Sequence, residues 1–546
     1  MYINDLSYDP RDPLFEVPGM PTVRWGIQVF TTRNMYGLDP ARTQITQEGS
    51  QTRLVCDQLS WGGQQQRSAG RVEATLTRVG NVLTFRVQAQ HAEPLKVVKL
   101  LVWGLPEAAL EQGWWQAITA ADDAYQVTTT RPLWWNYPWR EWLTPWACAG
   151  QAEGKPLVCV SVRDPEVRAK RLYVHRPPYA DSQSVVEVCF EEDAMRWGSQ
   201  IATPDIRVHI CANKAEMQAD FDEHLRFVQQ CFGLQAWETR KDVPAWMRDV
   251  RLVLNLHGQH WTGYVFNTFD RMAETLRFVT QHIPGKHLLA YIPGWEGRYY
   301  YAYPNYRPGE ALGGEAGFRR LVATANELGV HLMPMFGMHG TNLQVYPDWE
   351  RSVFRSRTNS YVVGVNCPDW DTDRTGEDDQ VFLNPGEPVF RQHLLEQVSA
   401  VIRDFGVSGV FLDTSACWFN DPRHNLIEGY RLLIGELNKR HPDVLVAGEG
   451  WFDALLGLMP VNQTWLGISR PYRQPRLLTD FARVIGHLAE GAPGPVSTGV
   501  HERGFTYKVE DTVMPGHIRS LGIVDDTLDH YRDDVIAVCR AAAGQS

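Results

Sequence analysis

From Trp246 onward, the sequence alternates short apolar runs with amphipathic segments of about 12 to 18 residues. This alternation is typical of βα units, in which each strand of a parallel sheet is followed by a helix. Eight such runs in about 300 residues predict a closed (β/α)8 barrel. The predicted strands are Arg251–Leu256, His287–Ile292, Val330–Met335, Gly409–Leu412, Val444–Ala447, Trp465–Ile468, Pro495–Thr498 and Ile518–Ile523.

The segments between these runs have the apolar spacing of amphipathic helices. An insertion of about 50 residues, Gly337–Gly386, follows the third predicted strand. Connections of this length are usually functional loops, such as lids over a binding site. The predicted helices are Arg271–His282, Ala316–Leu328, Pro388–Phe405, Leu426–Arg440, Arg476–Glu490 and Thr527–Ala542.

The sequence before the barrel region has the pattern of antiparallel β-structure. Val72–Gln90 alternates apolar and polar residues on both sides of Gly80-Asn81, which predicts a hairpin. We predict a large antiparallel β-sandwich domain over residues 1–212, a helical linker over 213–245 and a catalytic barrel over 246–546. Further strands are predicted at Pro156–Val162, Ser184–Phe190 and Ile206–Cys211, and the linker helix at Ala215–Phe232.

Composition excludes several classes of function. The net charge of −11 argues against a protein that binds nucleic acid through phosphate contacts. No apolar run approaches the roughly 18 residues that a membrane helix needs. Nine scattered cysteines without a CxxC pair indicate free thiols in a reducing compartment, so a cytoplasmic enzyme is expected. The start of the chain lacks the pattern of a signal peptide, although removal of an earlier leader stays open.

Two carboxylic acids follow neighbouring predicted strands at the end where barrel enzymes place their catalytic groups. Asp413 comes after the fourth apolar run and Glu449 after the fifth, with one helix between them. Adjacent strand ends can hold two carboxyls the ~5–5.5 Å apart that a retaining glycosidase requires. One would attack the anomeric carbon and the other would protonate the leaving oxygen. The alternative is that one of them caps a helix or pairs with an arginine.

Other polar and aromatic residues follow the remaining strands, where a substrate would bind. Tyrosines and tryptophans combine a flat apolar ring with a polar edge, which suits the faces of sugars. Four tyrosines occur between positions 299 and 303, and we expect a binding role for this run. The predicted substrate-binding residues are His257, His260, Trp295, Glu296, His339, Trp451, Arg470, His501 and Glu502.

Four motifs resemble the α-amylase family of glycoside hydrolases. FLNP followed by a helix and FGVSGVFLD resembles its nucleophile region, and VLVAGEGW its acid/base region. GVHLMPMFGMHGTN and GVHE resemble its third- and seventh-strand regions. The resemblance implies that Asp413 is the nucleophile, that Glu449 is the acid/base, and that His339, His501 and Glu502 contact the substrate. The sequence departs from this family at Phe411, where the family has arginine, and at Glu502, where it has aspartate.

A sandwich before such a barrel is similar to the α-galactosidases and α-N-acetylgalactosaminidases. That resemblance implies a retaining α-glycosidase that acts on a carbohydrate and needs no cofactor or metal. Three alternatives stay open. They are an inverting or sialidase-like exo-glycosidase on the same barrel, a non-catalytic carbohydrate-binding protein, and a metal-dependent hydrolase. The sugar, endo or exo action and the oligomeric state are not predicted.

Two further segments have competing interpretations. Residues 134–146 contain five tryptophans, which could form a sugar-stacking platform or pack in a domain core. Residues 369–379 are rich in carboxylates and suggest calcium. The glycine that an EF-hand loop needs at its sixth position is replaced by Arg374, so a solvated acidic loop is favoured.

Overall fold

The computed structural model divides the chain into two compact units. The first extends to Gly233 and includes Gln474, and the second contains the other residues from Leu234 onward. Each unit has its own secondary structure and its own core. The described residues are 12–110, 113–117, 124–138, 142–150, 154–176, 184–191, 198–260, 263–298, 300–355, 380–418, 421, 423–464, 474–486, 513–524 and 527–544.

The first unit is a large antiparallel β-structure of sixteen strands in the described residues. Two helices accompany the strands, α1 (Glu107–Leu110) and α2 (Lys214–Phe232). The strands are β1 (Phe15–Val17), β2 (Met20–Thr31), β3 (Met35–Leu38), β4 (Thr43–Glu48), β5 (Gln51–Trp61), β6 (Gln66–Val79), β7 (Val82–His91), β8 (Leu95–Trp103), β9 (Trp114–Gln116), β10 (Leu133–Tyr137), β11 (Trp146–Ala149), β12 (Leu157–Arg163), β13 (Lys170–His175), β14 (Val185–Glu191), β15 (Gln200–Ala202) and β16 (Asp205–Cys211).

The strands are hydrogen-bonded in the order β10-β13-β14-β8-β2-β3-β5-β6-β7-β16-β12-β11-β9, with β1 on β2, β4 on β5 and β15 on β7. The predicted hairpin is present as β6 and β7, and Gly80 takes the left-handed backbone that the turn requires (φ +60°). Along β7, buried residues alternate with more exposed ones, as expected for a strand with one face on a core. The predicted β-sandwich fold is confirmed.

Helix α2 belongs to this first unit. Asn213 accepts hydrogen bonds from the N–H groups of the first turn, and Gly233 ends the helix in a left-handed conformation. Phe221 packs edge-on against Trp146, whose indole N–H donates to Asp220 at 2.9 Å. The region 213–245 therefore divides between the two units. Trp142 and Trp146, from the tryptophan-rich segment, are fully buried packing residues of the first unit.

The second unit contains a closed barrel of eight parallel strands, β17-β18-β19-β22-β23-β24-β25-β26. No helix in the described ranges is long and apolar enough to cross a membrane. The elements are β17 (Leu252–Asn255), α3 (Phe269–Val279), β18 (Leu288–Ile292), α4 (Gly314–Leu328), β19 (His331–Gly337), β20 (Gly340–Asn342), α5 (Trp349–Ser352), β21 (Gln380–Phe382), α6 (Pro388–Phe405), β22 (Gly409–Asp413), α7 (Leu426–Arg440), β23 (Leu445–Glu449), α8 (Asp453–Leu456), β24 (Val461–Thr464), α9 (Arg476–Thr479), β25 (Arg483–Gly486), β26 (His517–Gly522), α10 (Thr527–His530) and α11 (Arg532–Ala543).

The predicted barrel is confirmed, but its sixth and seventh strands are not where the sequence placed them. The sixth strand is β24, which ends just before the predicted run 465–468, itself outside the described residues. The seventh is β25, which lies inside the predicted helix 476–490. That helix prediction is wrong over residues 480–486, where the apolar positions fit a helical period but Val484 and Ile485 are both buried in a barrel strand. The rest of the predicted helix, residues 487–490, lies outside the described residues. The run 495–498 also lies outside the described residues and is not the seventh strand.

Asp164 is a buried carboxylate in the first unit whose negative charge is stabilised by neighbouring cations. Asp164 pairs with Lys170 at 3.0 Å and with Arg168 at 3.1 Å, and it accepts the N–H groups of Glu166 and Arg168. Burial opposes its ionisation, but the two cations and the hydrogen bonds outweigh burial and lower its pKa to about 2.

Replacing this carboxylate should weaken the first unit in a pH-dependent way. A pKa lower in the folded state gives stability that is present above the unfolded value and lost as pH falls through about 2. We expect Asp164→Asn to lower the free energy of unfolding at pH 7 by ~2 kcal/mol, measured by urea unfolding with circular dichroism. Asp57→Asn, at an exposed pair with Arg42, is the control and should change little. An unchanged acid dependence in Asp164→Asn would contradict this account.

Candidate active site

Asp413 and Glu449 end neighbouring strands of the barrel. Strands β22 and β23 pair in parallel with Leu412 opposite Gly448, so the next residue of each strand is one of the two acids. Every residue of β22 is buried, and Asp413 itself is 8% exposed. Because parallel strands end at the same edge, both carboxyls lie at the carboxyl-terminal mouth of the barrel. The predicted adjacency of these two strands is confirmed.

The residues after Asp413 connect it to Glu449. The N–H of Thr414 donates to Glu449 Oε2 at 2.9 Å. The Ser415 hydroxyl accepts the N–H of Glu449 at 2.8 Å and donates to its carbonyl at 3.1 Å. Thr414 has φ +62°, a left-handed conformation that is costly for a β-branched residue. Strain of this kind persists only where the surroundings impose it, and it is concentrated at functional sites.

Tyr300 holds the other carboxyl. Its hydroxyl donates a short hydrogen bond to Asp413 Oδ2. Tyr300 also has a positive φ, of +74°, so both residues that orient the acids have strained backbones. A side chain at Gly340 would put its Cβ 2.6 Å from the Tyr300 ring, so glycine leaves the room that this ring needs. The tyrosine run was the sequence signal for this residue, but nothing in it distinguished Tyr300 from its neighbours.

Glu296 is a third carboxyl at the same mouth, in the loop after β18. It is 7% exposed, and neither of its carboxyl oxygens has a hydrogen-bond partner of normal geometry in the described chain. Burial raises its pKa to about 8, and the charge of Asp413 adds to the increase, while its own backbone N–H and the nearby Tyr303 hydroxyl oppose it. The hydroxyl of Tyr303 is likewise buried without a partner.

Further polar atoms without partners lie at other strand ends. Asn255 Oδ1, at the end of β17, and Gln463 Nε2, near the end of β24, are buried and make no hydrogen bond in the described part of the chain. Buried polar groups in folded proteins are almost always paired. Four residues at strand ends or in the loop after β18 therefore have buried polar atoms that a ligand or ordered water would pair.

Two predicted substrate contacts are packing residues instead. Trp295 is 0% exposed, and its indole N–H donates to the Met335 carbonyl at 2.8 Å. Its ring packs against Phe318 and Phe336. His339 is fully buried, with one ring nitrogen on the Leu383 carbonyl and the other on the Tyr430 hydroxyl, and burial lowers its pKa to about 4. Neither side chain has a free edge for a sugar.

The remaining predicted contacts divide into buried residues and residues outside the described ranges. His257 and His260 are buried and pack on Phe266. Burial, with the charge of Arg298, lowers the pKa of His260 to about 3, so this imidazole is neutral. Trp451 is buried two residues after Glu449. The residues outside the described ranges are Arg470, His501 and Glu502, together with the acidic segment 369–379.

The described residues contain no group of three or more histidine, cysteine, aspartate or glutamate side chains that could hold a metal ion. The polar residues at the strand ends are instead carboxyls, amides and phenols. These groups donate and accept hydrogen bonds in the way that sugar hydroxyls require.

Comparison with solved structures identifies the fold. No protein-family model and no curated protein sequence matches the chain. The ligand-free α-N-acetylgalactosaminidase of Bifidobacterium bifidum aligns with a TM-score of 0.65 and 14% identity, covering 98% of this chain and 91% of that chain. Its complex with GalNAc aligns with a TM-score of 0.64 and 12% identity, covering 88% and 82%.

An α-galactosidase from Geobacillus stearothermophilus aligns with a TM-score of 0.48 and 11% identity, covering 96% of this chain and 73% of that chain, a similarity too weak to support an inference. The neighbours are thus glycoside hydrolases with a sheet-rich domain and a barrel. At these identities the similarity establishes the fold alone.

The packing role of Trp295 can be tested by stability. We expect Trp295→Ala to lower the free energy of unfolding by about 3–5 kcal/mol, because it opens a cavity and leaves the Met335 carbonyl unpaired. Urea unfolding followed by circular dichroism measures this change. Leu432→Ala, at an exposed position on α7, is the control and should stay within about 0.5 kcal/mol. Unchanged stability in Trp295→Ala would argue for a surface role.

Proposed function

We propose that this chain is a glycoside hydrolase that cleaves an α-linked sugar with retention of configuration. The observation that carries the proposal is the carboxyl pair Asp413 and Glu449, joined through Thr414 at the mouth of a closed barrel. A second support is the fold, which resembles that of an α-N-acetylgalactosaminidase over nearly the whole chain. A terminal α-linked N-acetylgalactosamine is therefore the first substrate to test.

In the first step, a carboxylate oxygen of Asp413 attacks the anomeric carbon, and the bond between that carbon and the leaving oxygen breaks. Glu449 gives its proton to the leaving oxygen. The Tyr300 hydroxyl donates a hydrogen bond to Oδ2 of Asp413 and so orients this carboxyl in the site. The product is a glycosyl ester on Asp413 and a free aglycone.

In the second step, water replaces the aglycone beside Glu449, which is now a carboxylate. Glu449 takes a proton from the water as the water oxygen attacks the anomeric carbon. The ester bond breaks, Asp413 is released as carboxylate, and the sugar leaves with its original configuration. The hydrogen bond from the Thr414 N–H to Glu449 Oε2 orients this carboxyl for the proton transfer.

The activity can be tested with a panel of aryl α- and β-glycosides that includes N-acetylated and sialic acid members. We expect hydrolysis of one α-glycoside, and a loss of about 10²–10⁴-fold in turnover in Asp413→Asn and in Glu449→Gln. Asp404→Asn, at an exposed position on α6, is the matched control. Near-normal rates in either site variant would contradict the assignment. Ligand binding by tryptophan fluorescence without any product would favour a carbohydrate-binding protein.

The stereochemical outcome distinguishes the retaining from the inverting alternative. We expect the first sugar released from an α-glycoside to be the α-anomer, recorded by NMR before mutarotation. The reason is that acids at the ends of adjacent strands can lie ~5–5.5 Å apart, the separation typical of enzymes that form a covalent intermediate. A β-anomer would mean inversion, with the carboxyls about 6.5–9.5 Å apart in the working enzyme.

A further inference from the structure

The loop that carries Glu296 is held in one conformation. Gly294 and Gly297 on either side have φ of +63° and +112°, which other residues adopt only with strain. A side chain at Gly294 would collide with the Gln259 carbonyl, and one at Gly309 would lie 2.8 Å from the Gly297 nitrogen. Backbone thus packs against backbone on both sides of Glu296. The carboxyl is fixed in a buried position without a partner of normal geometry.

The titratable groups that act on Glu296 come from its own loop and from β22. They are Tyr303 and Tyr306 from the loop and Asp413 from β22, the residue that Tyr300 contacts. At the end of β17, the nearest titratable residues are His257 and His260. The neighbouring cation, Arg298, acts on His260. No cation in the described ranges favours the ionised form of Glu296.

We propose that Glu296 works as a neutral carboxylic acid that donates a hydrogen bond to a hydroxyl oxygen of the sugar at Asp413, and that its ionisation sets the alkaline limit of activity. The inference rests on the proposed function, because the sugar is the ligand that supplies the missing partner. A neutral carboxyl offers one donor and one acceptor, which matches a hydroxyl on both counts. A carboxylate would offer acceptors only.

The surroundings of Glu296 favour its neutral form, whereas the proposed mechanism uses Asp413 as a carboxylate. Asp413 accepts a hydrogen bond from the Tyr300 hydroxyl. Glu296 is buried and faces the negative charge of Asp413, and these two effects outweigh the opposing effects of its own backbone N–H and the Tyr303 hydroxyl. Its pKa of about 8 leaves it protonated at pH 7 and ionised above pH 8. Two buried like charges would then face each other, and the donor to the sugar would be lost.

The pH dependence of kcat/KM tests the proposal. For the wild-type enzyme we expect kcat/KM to fall about tenfold per pH unit above pH 8. Glu296→Gln keeps a donor and an acceptor but cannot ionise. We therefore expect its kcat/KM at pH 7 to be within about tenfold of the wild-type value and not to fall above pH 8. Glu315→Gln, at an exposed position on α4, is the control and should keep the wild-type profile. An unchanged alkaline fall in Glu296→Gln would overturn the proposal.

An infrared measurement tests the protonation state without any substrate. We expect a band of a protonated carboxyl at pH 7 that disappears on titration through about pH 8 and is missing in Glu296→Gln. In Asp413→Asn the loss of the facing charge should move this titration to lower pH. A wild-type spectrum without such a band at pH 7 would overturn the proposal. If the band is present but no glycoside is cleaved, the proposed function fails while the protonation of Glu296 stands.

Discussion

The hydrogen bond from the Thr414 N–H to Glu449 is the contact on which the arrangement of the site depends. It connects the residue after one acid to the carboxyl of the other, so the two strand ends cannot separate without breaking it. Thr414 makes this bond in a left-handed conformation, which costs on the order of 1–3 kcal/mol. Eight strands closed into a barrel can supply that cost, since their buried faces hold β22 and β23 in register.

The second layer of the site consists of aromatic rings and the glycines that make room for them. Tyr300, Tyr303 and Tyr306 form a continuous cluster of edge-on and tilted rings, with ring centroids 5.1 and 4.9 Å apart. Gly337 and Gly340 lie against these rings, and side chains at either position would overlap them. The three rings and two glycines therefore pack closely beside Asp413, which Tyr300 contacts.

The three carboxyls at the mouth differ in their partners, and this difference separates their chemistry. Asp413 accepts a phenol hydroxyl, Glu449 accepts a backbone N–H, and Glu296 has no partner of normal geometry in the described chain. Burial and the facing charge of Asp413 favour the neutral form of Glu296. A single barrel can therefore hold a nucleophile, an acid/base and a neutral hydrogen-bond donor within one pocket.

The sequence by itself determined the two fold classes, five of the first six strand positions and the adjacency of Asp413 and Glu449, because periodicity is a local property of the chain. The sequence pattern misplaced the sixth and seventh strands. Around Val484 the spacing of apolar residues fits an amphipathic helix as well as a strand that is buried on both faces. Only the tertiary structure decided which aromatic and polar residues face the pocket. Trp295 follows a strand end but turns into the core, while Tyr300 reaches Asp413 from 113 positions away in the chain. Side-chain direction depends on packing against distant segments, which no local pattern records.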